Sequence, residues 1–306
     1  MMKKIVILIC ITIISAGCIG NKKEQMQISK TKEQIFHLPE IPSMLVIPQK
    51  RAEYLAKHYW DHFPFTDTYY KSEIIEPIFA DFIGVLPHTN YSAACSGIKI
   101  LMKKAEINVQ LYSYLGELAK KYLYNYESPM HNEELYIPFL ESMVKSPVID
   151  NIHKSSYEQQ LAMALKNRPG SMAENFIYTL ASGKSYTLSA LKSEYTLLFF
   201  NDPDCEDCLE IKNKINSSSA LTVLQNKYKK ITILSIYPDE DLRIWKEHLP
   251  DYPLNWINGY DKKLNIRNKE LYDLTKMPVL YLLDREKHVL LKNASFETLE
   301  NYLEKI

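Results

Sequence analysis

The feature that most constrains the fold is a pair of cysteines that directly follows a short apolar run. The run YTLLFF at 195–200 has the length and apolar character of a strand buried on both faces of a sheet. It leads through NDPD to Cys205 and Cys208, after which CLEIKNKI has the apolar spacing of a helix. At a helix N-terminus the unpaired amides and the dipole favour a thiolate, and a cysteine three positions further on can resolve a mixed disulfide. The pattern therefore predicts a redox pair.

The spacing of the cysteine pair also allows other functions. Structural zinc requires four ligands, but the sequence has no second CxxC, and His248 and His288 stand alone, so we expect no metal. A structural disulfide between Cys205 and Cys208 remains an open alternative. Peroxidase chemistry is disfavoured, because Asp202 occupies the position where the peroxiredoxin pattern has threonine or serine.

The sequence around the cysteine pair alternates between strand and helix patterns. After KNRPG at 166–170, two short alternating runs flank ASGK, which is a β-hairpin signal. Further strands are predicted at 231–237, at 278–284 and in HVLLK, and helices in DEDLRIWKEHL and FETLENYLEKI. This alternation predicts an α/β domain whose sheet carries helices on its faces.

The first half of the chain has a different pattern. From about 48 to 166, six segments show helical apolar spacing, and prolines such as Pro64, Pro87 and Pro129 fall between them. No self-similar period is present, so a solenoid is disfavoured. The sequence predicts a mainly α-helical domain over 41–168.

The N-terminus indicates the compartment. The positive start MMKK precedes an apolar run at 5–15, which is shorter than the roughly 20 residues of a membrane-spanning helix but suits a secretory signal. The run ends in ISAGC, so we predict a signal peptide over 1–18 that ends at Cys18. The polar residues 19–40 are predicted to be a tether.

The motif ISAGC resembles the lipobox of bacterial lipoproteins. The resemblance implies that Cys18 is lipidated and becomes the first residue of the mature chain; cleavage without lipidation, or an uncleaved anchor, is the alternative. Ile19 in place of aspartate favours the outer membrane, and we expect a lipid-anchored envelope protein that faces the periplasm. In an exported protein disulfides persist, and Cys95, Cys205 and Cys208 are the remaining thiols.

The region 169–306 resembles the thioredoxin-like fold, and more specifically the TlpA/ResA-type thiol–disulfide oxidoreductases. PGSMAENFIYTLASG is similar to their first hairpin, FFNDPDCEDC to their active-site strand and turn, and LYDLTKMPVLYLLD to the segment with their cis-proline. The resemblance implies that Cys205 attacks, that Cys208 resolves and that the two form a redox-active disulfide. It also implies a cis peptide at Pro278, where Met277 and Pro278 present backbone to an extended substrate.

The active-site segment departs from this family in its charges. Asp204 replaces the usual tryptophan before the first cysteine, and Glu206 and Asp207 lie between the cysteines. A carboxylate about 7 Å from a thiolate costs about 0.6–1.2 kcal/mol at an effective dielectric of about 40–80. We therefore expect a pair that is not a strong oxidant. Acidic residues also favour the first turn of a helix, so a structural role is compatible.

Other motifs carry less information. RAEYLAKHYWDHFPF and NEELYIPFLE resemble a helical family of unknown function that precedes such domains in lipoproteins. His58 and His62 are four positions apart but lack the glutamate of a zincin motif, so we predict a surface or packing role. Cys95 is predicted to be a small core residue. Lys plus Arg and Asp plus Glu both total 37, which gives no support for nucleic-acid binding.

Together these patterns predict a membrane-anchored envelope thiol–disulfide oxidoreductase that reduces or isomerises rather than oxidises. Its expected partners are the thiols and disulfides of exported proteins and a membrane electron donor, with no cofactor. The alternative is a non-catalytic scaffold lipoprotein that binds partners through a thioredoxin fold with a structural or vestigial CxxC.

Overall fold

The computed structural model describes residues 36–66 and 72–306. The chain divides into two compact units, Met1–Leu118 and Ala119–Ile306. The predicted signal peptide 1–18, with Cys18, and most of the predicted tether lie outside the described residues. The domain boundary predicted at 168/169 falls inside the second unit and stays a prediction. Across the described ranges, none of the helices has both the length and the apolar character needed to cross a bilayer.

The first unit is helical. Its helices are α1 (Pro48–His58), α2 (Ser72–Val85), α3 (Tyr91–Ala105) and α4 (Val109–Ala119), the last of which runs into the second unit. Asn90 caps α3 by accepting a hydrogen bond from the amide of Ala93 at 2.8 Å. A Cβ on Gly97 would lie 2.4 Å from the carbonyl oxygen of Ala56. Helices α1 and α3 therefore approach so closely that only glycine fits at position 97.

The second unit begins with a helical segment that continues the predicted pattern. A π-helical turn (Lys120–Tyr124) is followed by α5 (Glu133–Lys145) and α6 (Asn151–Ala164). Asn132 caps α5 and Asp150 caps α6, because the side chain of each accepts amide hydrogen bonds from the following first turn. The prediction of a mainly helical region before the α/β region is confirmed.

A seven-stranded mixed sheet forms the rest of the second unit. Its strands are β1 (Ile177–Leu180), β2 (Ser185–Thr187), β3 (Tyr195–Phe200), β4 (Ile231–Tyr237), β5 (Ile257–Tyr260), β6 (Val279–Leu283) and β7 (Val289–Lys292). The spatial order is β2-β1-β5-β4-β3-β6-β7, with β3, β4 and β5 parallel and β6 antiparallel to β3. Sequence analysis missed β5, because NWINGYD lacks the apolar run that identified the central strands.

The central strand β3 is buried on both faces, as its sequence predicts. Leu197 and Phe199 belong to the core on one face of the sheet, and Leu198 and Phe200 to the core on the other. Five helices complete the unit: α7 (Glu206–Ser217), α8 (Ser219–Thr222), α9 (Leu242–His248), α10 (Asn265–Asn268) and α11 (Phe296–Leu303). The fold is therefore an α/β sheet covered by helices, preceded by a helical region.

A buried ion pair ties the helical segment to the sheet within this unit. The Nζ of Lys292 lies 2.7 Å from Oε2 of Glu133, and the two side chains are 6% and 13% exposed. The same ammonium donates to the carbonyl oxygens of Ala164 and Lys166 at 2.8 and 2.7 Å. Burial raises the pKa of Glu133, and the charge of Lys292 opposes this shift. The Lys292 ammonium therefore contacts three acceptors at once, one carboxylate and two backbone carbonyls.

We expect Lys292→Met to lower the free energy of unfolding by about 3 kcal/mol, because it leaves the buried Glu133 carboxylate without its cation. Urea unfolding followed by circular dichroism measures the loss. The matched control is Lys214→Met, whose partner Glu210 lies in an exposed pair with side chains 48% and 63% accessible. The control should lose less than about 1 kcal/mol. Equal losses in the two variants would contradict a structural role for the buried pair.

Candidate functional site

Cys205 caps the helix that follows the central strand. It is the N-cap residue of α7, with extended backbone angles of φ −87° and ψ 122°. Its sulfur accepts a hydrogen bond from the amide of Cys208 at 3.3 Å. Cys205 is partly exposed, and its sulfur lies at the positive end of the helix dipole, which stabilises a thiolate.

Cys208 is the less accessible of the two thiols. Its side chain lies in the core at 2% exposure, and its sulfur accepts the amide of Asp202 at 3.5 Å. Burial raises the pKa of Cys208 well above the ordinary thiol value; the Asp202 amide opposes this shift and the neighbouring Cys205 sulfur adds to it. The structure holds both cysteines as free thiols. At neutral pH the pair thus consists of an accessible sulfur and a buried protonated one.

A second backbone segment meets the cysteines from the side of β6. The peptide bond between Met277 and Pro278 is cis, which is the geometry that the family resemblance implies. The carbonyl oxygen of Met277 accepts the thiol of Cys205 at 3.9 Å. The fold therefore brings the cysteine turn together with the Met277–Pro278 peptide, which begins 72 positions after Cys205 in the chain.

The acidic residues before the first cysteine shape its turn. The carboxylate of Asp202 accepts the amide of Asp204 at 3.0 Å, and the Asp202 carbonyl accepts the amide of Cys205 at 3.1 Å. The carboxylate of Asp204 lies 3.4 Å from Nε2 of His248, whose Nδ1 is 2.9 Å from Asp251. These contacts give Asp202 and Asp204 structural partners. Sequence analysis considered His248 only as a metal ligand and missed this contact.

Negative charge nevertheless remains at this end of the sheet. Burial raises the pKa of Tyr237, at the end of β4, to about 12, and the carboxylates of Asp202, Asp239, Asp241 and Asp204 add to the rise. Glu206 and Asp207 occupy the first turn of α7, where the helix dipole stabilises them. The thiol site is therefore acidic in its surroundings.

A buried polar network lies beneath the cysteine turn. The side chain of Asn201 donates to the carbonyl of Phe199 at 3.1 Å and to the hydroxyl of Ser235 at 2.8 Å, and its oxygen accepts the hydroxyl of Tyr252. Burial raises the pKa of Tyr252, and Cys208 is the next largest cause. Sequence analysis missed this network. The signal that could have found it is an asparagine directly after the last residue of a doubly buried strand.

Cys95 and the histidine candidates His58 and His62 lie in the first unit, where neighbouring residues explain their positions. Cys95 lies half-buried in α3. His58 stacks on Tyr54 at 4.3 Å between ring centroids and its Nδ1 lies 2.7 Å from Asp61, while His62 is exposed. These contacts agree with the packing or surface role predicted for the two histidines.

Among residues 36–66 and 72–306, one group of three side chains has potential metal-ligand atoms that all lie within 4.8 Å of one another. It consists of Asp284, Glu286 and His288, at the turn between β6 and β7. Asp284 already accepts the amide of His288 at 2.7 Å and lies 3.1 Å from its Nδ1, so the turn itself explains the grouping. The cysteines are not part of it.

The fold and the site define a thioredoxin-like class of protein with a helical region in front, and comparisons agree. Residues 17–167 match the family described as a domain of unknown function, DUF5106. A thioredoxin-like protein from Bacteroides caccae, known from a crystal structure, is 45% identical in sequence to this chain. The match covers 88% of this chain and 98% of that chain, with a TM-score of 0.84. The chain belongs to the same family of thioredoxin-like proteins.

Two further solved structures cover less of the chain. The C-terminal domain of an uncharacterized protein from Bacteroides fragilis is 49% identical over 45% of this chain and 98% of that one, with a TM-score of 0.44. A domain of a possible thiol-disulfide isomerase from Cytophaga hutchinsonii is 27% identical over 46% of this chain and 94% of that one, with a TM-score of 0.39. No curated protein matches the chain.

We expect a limiting alkylating reagent at pH 7 to modify Cys205 at least about tenfold faster than Cys208, because a buried thiol with a raised pKa stays protonated and unreactive. Reactivity of Cys208 should rise only at alkaline pH, as the thiol approaches its folded-state pKa. Peptide mass spectrometry after reaction with iodoacetamide measures both sites, and urea-unfolded protein is the control in which the two should react alike. Equal labelling in the folded protein at pH 7 would contradict the assignment.

Proposed function

We propose that the chain is a membrane-anchored envelope thiol–disulfide oxidoreductase that reduces or isomerises disulfides of exported proteins. The observation that carries the proposal is the position of Cys205. Its partly exposed sulfur accepts the Cys208 amide and faces the Met277 carbonyl beside cis-Pro278. The site thus supplies an attacking sulfur, a resolving sulfur and a backbone acceptor for an extended polypeptide.

The first step is attack by Cys205. Its thiolate forms a bond to one sulfur of the substrate disulfide, the substrate S–S bond breaks, and the other substrate sulfur leaves as a thiolate and takes up a proton. The helix N-terminus favours the attacking thiolate, and the amide of Cys208 is already placed on its sulfur. The product is a mixed disulfide between Cys205 and the substrate.

The second step is resolution by Cys208. Once deprotonated, its sulfur attacks the Cys205 sulfur, forms the Cys205–Cys208 disulfide and releases the second substrate thiol. The substrate gains two electrons and the pair loses two. Because burial raises the pKa of Cys208, this thiol stays protonated at neutral pH and does not compete for the first attack. Return to the dithiol requires a dithiol reductant, and we propose a membrane electron donor for this role.

The location of the protein is part of the proposal. The lipobox-like ISAGC places a lipid on Cys18, and Ile19 favours an outer-membrane anchor with the body of the protein facing the periplasm. Attached acyl chains contribute about 0.8 kcal/mol per buried CH₂, so two or more chains hold the protein at the membrane. Exported proteins are then the accessible substrates.

We expect Cys208→Ser to accumulate mixed disulfides through Cys205, because the resolving thiol is gone while the attacking thiol remains. The prereduced variant, incubated with oxidised insulin or with an envelope extract, is separated on a non-reducing gel and the linked cysteine is identified by mass spectrometry. The matched control is the variant Cys205→Ser with Cys208→Ser, which should link nothing.

An insulin-reduction assay, together with the trapping experiment, distinguishes an enzyme from a scaffold. A catalytic protein reduces insulin with excess dithiothreitol at least about tenfold faster than dithiothreitol alone, and Cys205→Ser abolishes the acceleration. Absence of both trapped complexes and acceleration would instead favour a thioredoxin-fold scaffold that binds partners without turnover. The observation that favours the non-catalytic scaffold is the acidic surroundings of the thiol site.

We expect Cys18→Ser to release the protein from the membrane fraction, because it removes the site of lipid attachment. Expression in a Gram-negative host followed by membrane fractionation and detergent phase partition measures the change. Cys95→Ser, which replaces a thiol in α3, should stay in the membrane fraction. A Cys18→Ser variant that remains in the detergent phase would contradict lipid anchoring at this residue.

A further inference from the structure

We propose that Tyr124 and Glu127 are positioning residues for polypeptide substrates: from the helical segment they hold the loop 273–277 in the place where Met277 meets an extended chain beside Cys205. The inference rests on the proposed function and adds to it a role for the segment in front of the sheet. All of the residues concerned belong to the second compact unit.

The first anchor is a hydrogen bond from Tyr124, the last residue of the π-helical turn. Its hydroxyl donates to Oδ2 of Asp273 at 2.6 Å. The other oxygen of Asp273 accepts both the amide and the hydroxyl of Thr275, at 3.1 and 2.7 Å. Burial, followed by the bond to Asp273, raises the pKa of Tyr124, so the phenol remains a donor. One carboxylate therefore connects the helical segment to the turn before the proline.

The second anchor lies at the other end of this loop. The Nζ of Lys276 is 2.9 Å from Oε1 of Glu127 and 4.2 Å from the ring centroid of Tyr126. Lys276 directly precedes Met277, so its side chain is held on the helical segment while the next carbonyl reaches the Cys205 sulfur at 3.9 Å. The Lys276 and Glu127 side chains are 50% and 62% exposed, so this pair by itself is weak. The two anchors act on the same loop.

The anchors should matter for one kind of substrate only. An extended polypeptide uses the backbone at Met277 as well as the sulfur, because its unpaired main-chain groups need hydrogen-bond partners. A small disulfide needs only access to the Cys205 sulfur. Loosening the loop 273–277 therefore weakens polypeptide binding and leaves the intrinsic thiol reactivity unchanged.

The test uses the variant Tyr124→Phe with Glu127→Gln, which keeps both side-chain shapes and removes the hydroxyl and the charge. With dithiothreitol as the reductant that returns the pair to the dithiol, we expect the KM for oxidised insulin to rise about fivefold to thirtyfold, with kcat within about twofold of the wild type. The single-turnover rate of the prereduced protein with dithiodipyridine, a small aryl disulfide, should stay within about twofold. Urea unfolding checks that the variant is folded; if it is not, each single variant should raise the KM for insulin at least about twofold.

The matched control is Tyr136→Phe with Glu194→Gln. The Tyr136 hydroxyl donates to Gln160 at 3.1 Å in the same helical segment, and Glu194 pairs with Lys230 at 3.4 Å before the start of β3. The Tyr136 ring packs on Tyr124 at 5.5 Å between centroids. The groups removed, however, bond to Gln160 and Lys230, which lie outside the loop 273–277. The KM of this control for insulin should therefore match the wild type.

Two results would overturn the inference. One is a wild-type KM for insulin in the Tyr124→Phe, Glu127→Gln variant. The other is an equal loss of rate with insulin and with dithiodipyridine, because that would mean that the two residues support the thiol site as a whole. If the wild-type protein reduces neither compound, the proposed function fails instead, so the two failures are distinguishable.

Discussion

The hydrogen bond from the Cys208 amide to the Cys205 sulfur is the contact on which the proposed chemistry of the site depends. It exists because α7 begins directly after Cys205, and α7 begins there because Asp202 turns the chain at the end of β3. The strand in turn is fixed by apolar side chains on both of its faces. The position of one sulfur atom thus follows from the central core of the sheet through a single tight turn.

The charges around this sulfur serve two purposes that act against each other. Asp202 forms the turn, Asp204 pairs with His248, and the acidic first turn of α7 suits the helix dipole. The Asp202 carboxylate also acts against negative charge on the cysteine pair, since its charge raises the pKa of Cys208. The helix N-terminus supplies the compensating positive potential. This balance of charges supports the proposed role as a reductase or isomerase, because a strong oxidant depends on an unusually stabilised thiolate.

The helical segment 119–168 shares a compact unit with the sheet, although the sequence family that it matches ends at residue 167. Polar contacts account for this. The buried Glu133–Lys292 pair and the bond from Tyr124 to Asp273 both join the segment to the α/β region. The segment contacts the loop that carries Met277, and these contacts are the basis of the role proposed for Tyr124 and Glu127.

Local sequence patterns determined the helical first half, the doubly buried strand β3 and the cysteine-capped helix, because apolar spacing and a CxxC at a helix start are read over a few neighbouring residues. They also located the proline segment, through resemblance to a family. They did not give strand β5, the Asn201–Tyr252 network or the contact between His248 and Asp204. The network and the His248 contact depend on residues 34 to 51 positions apart that meet only when the sheet forms. Tertiary structure alone decided which polar partner each site residue has, because hydrogen bonds and ion pairs depend on distance in space, which polar sequence patterns do not encode.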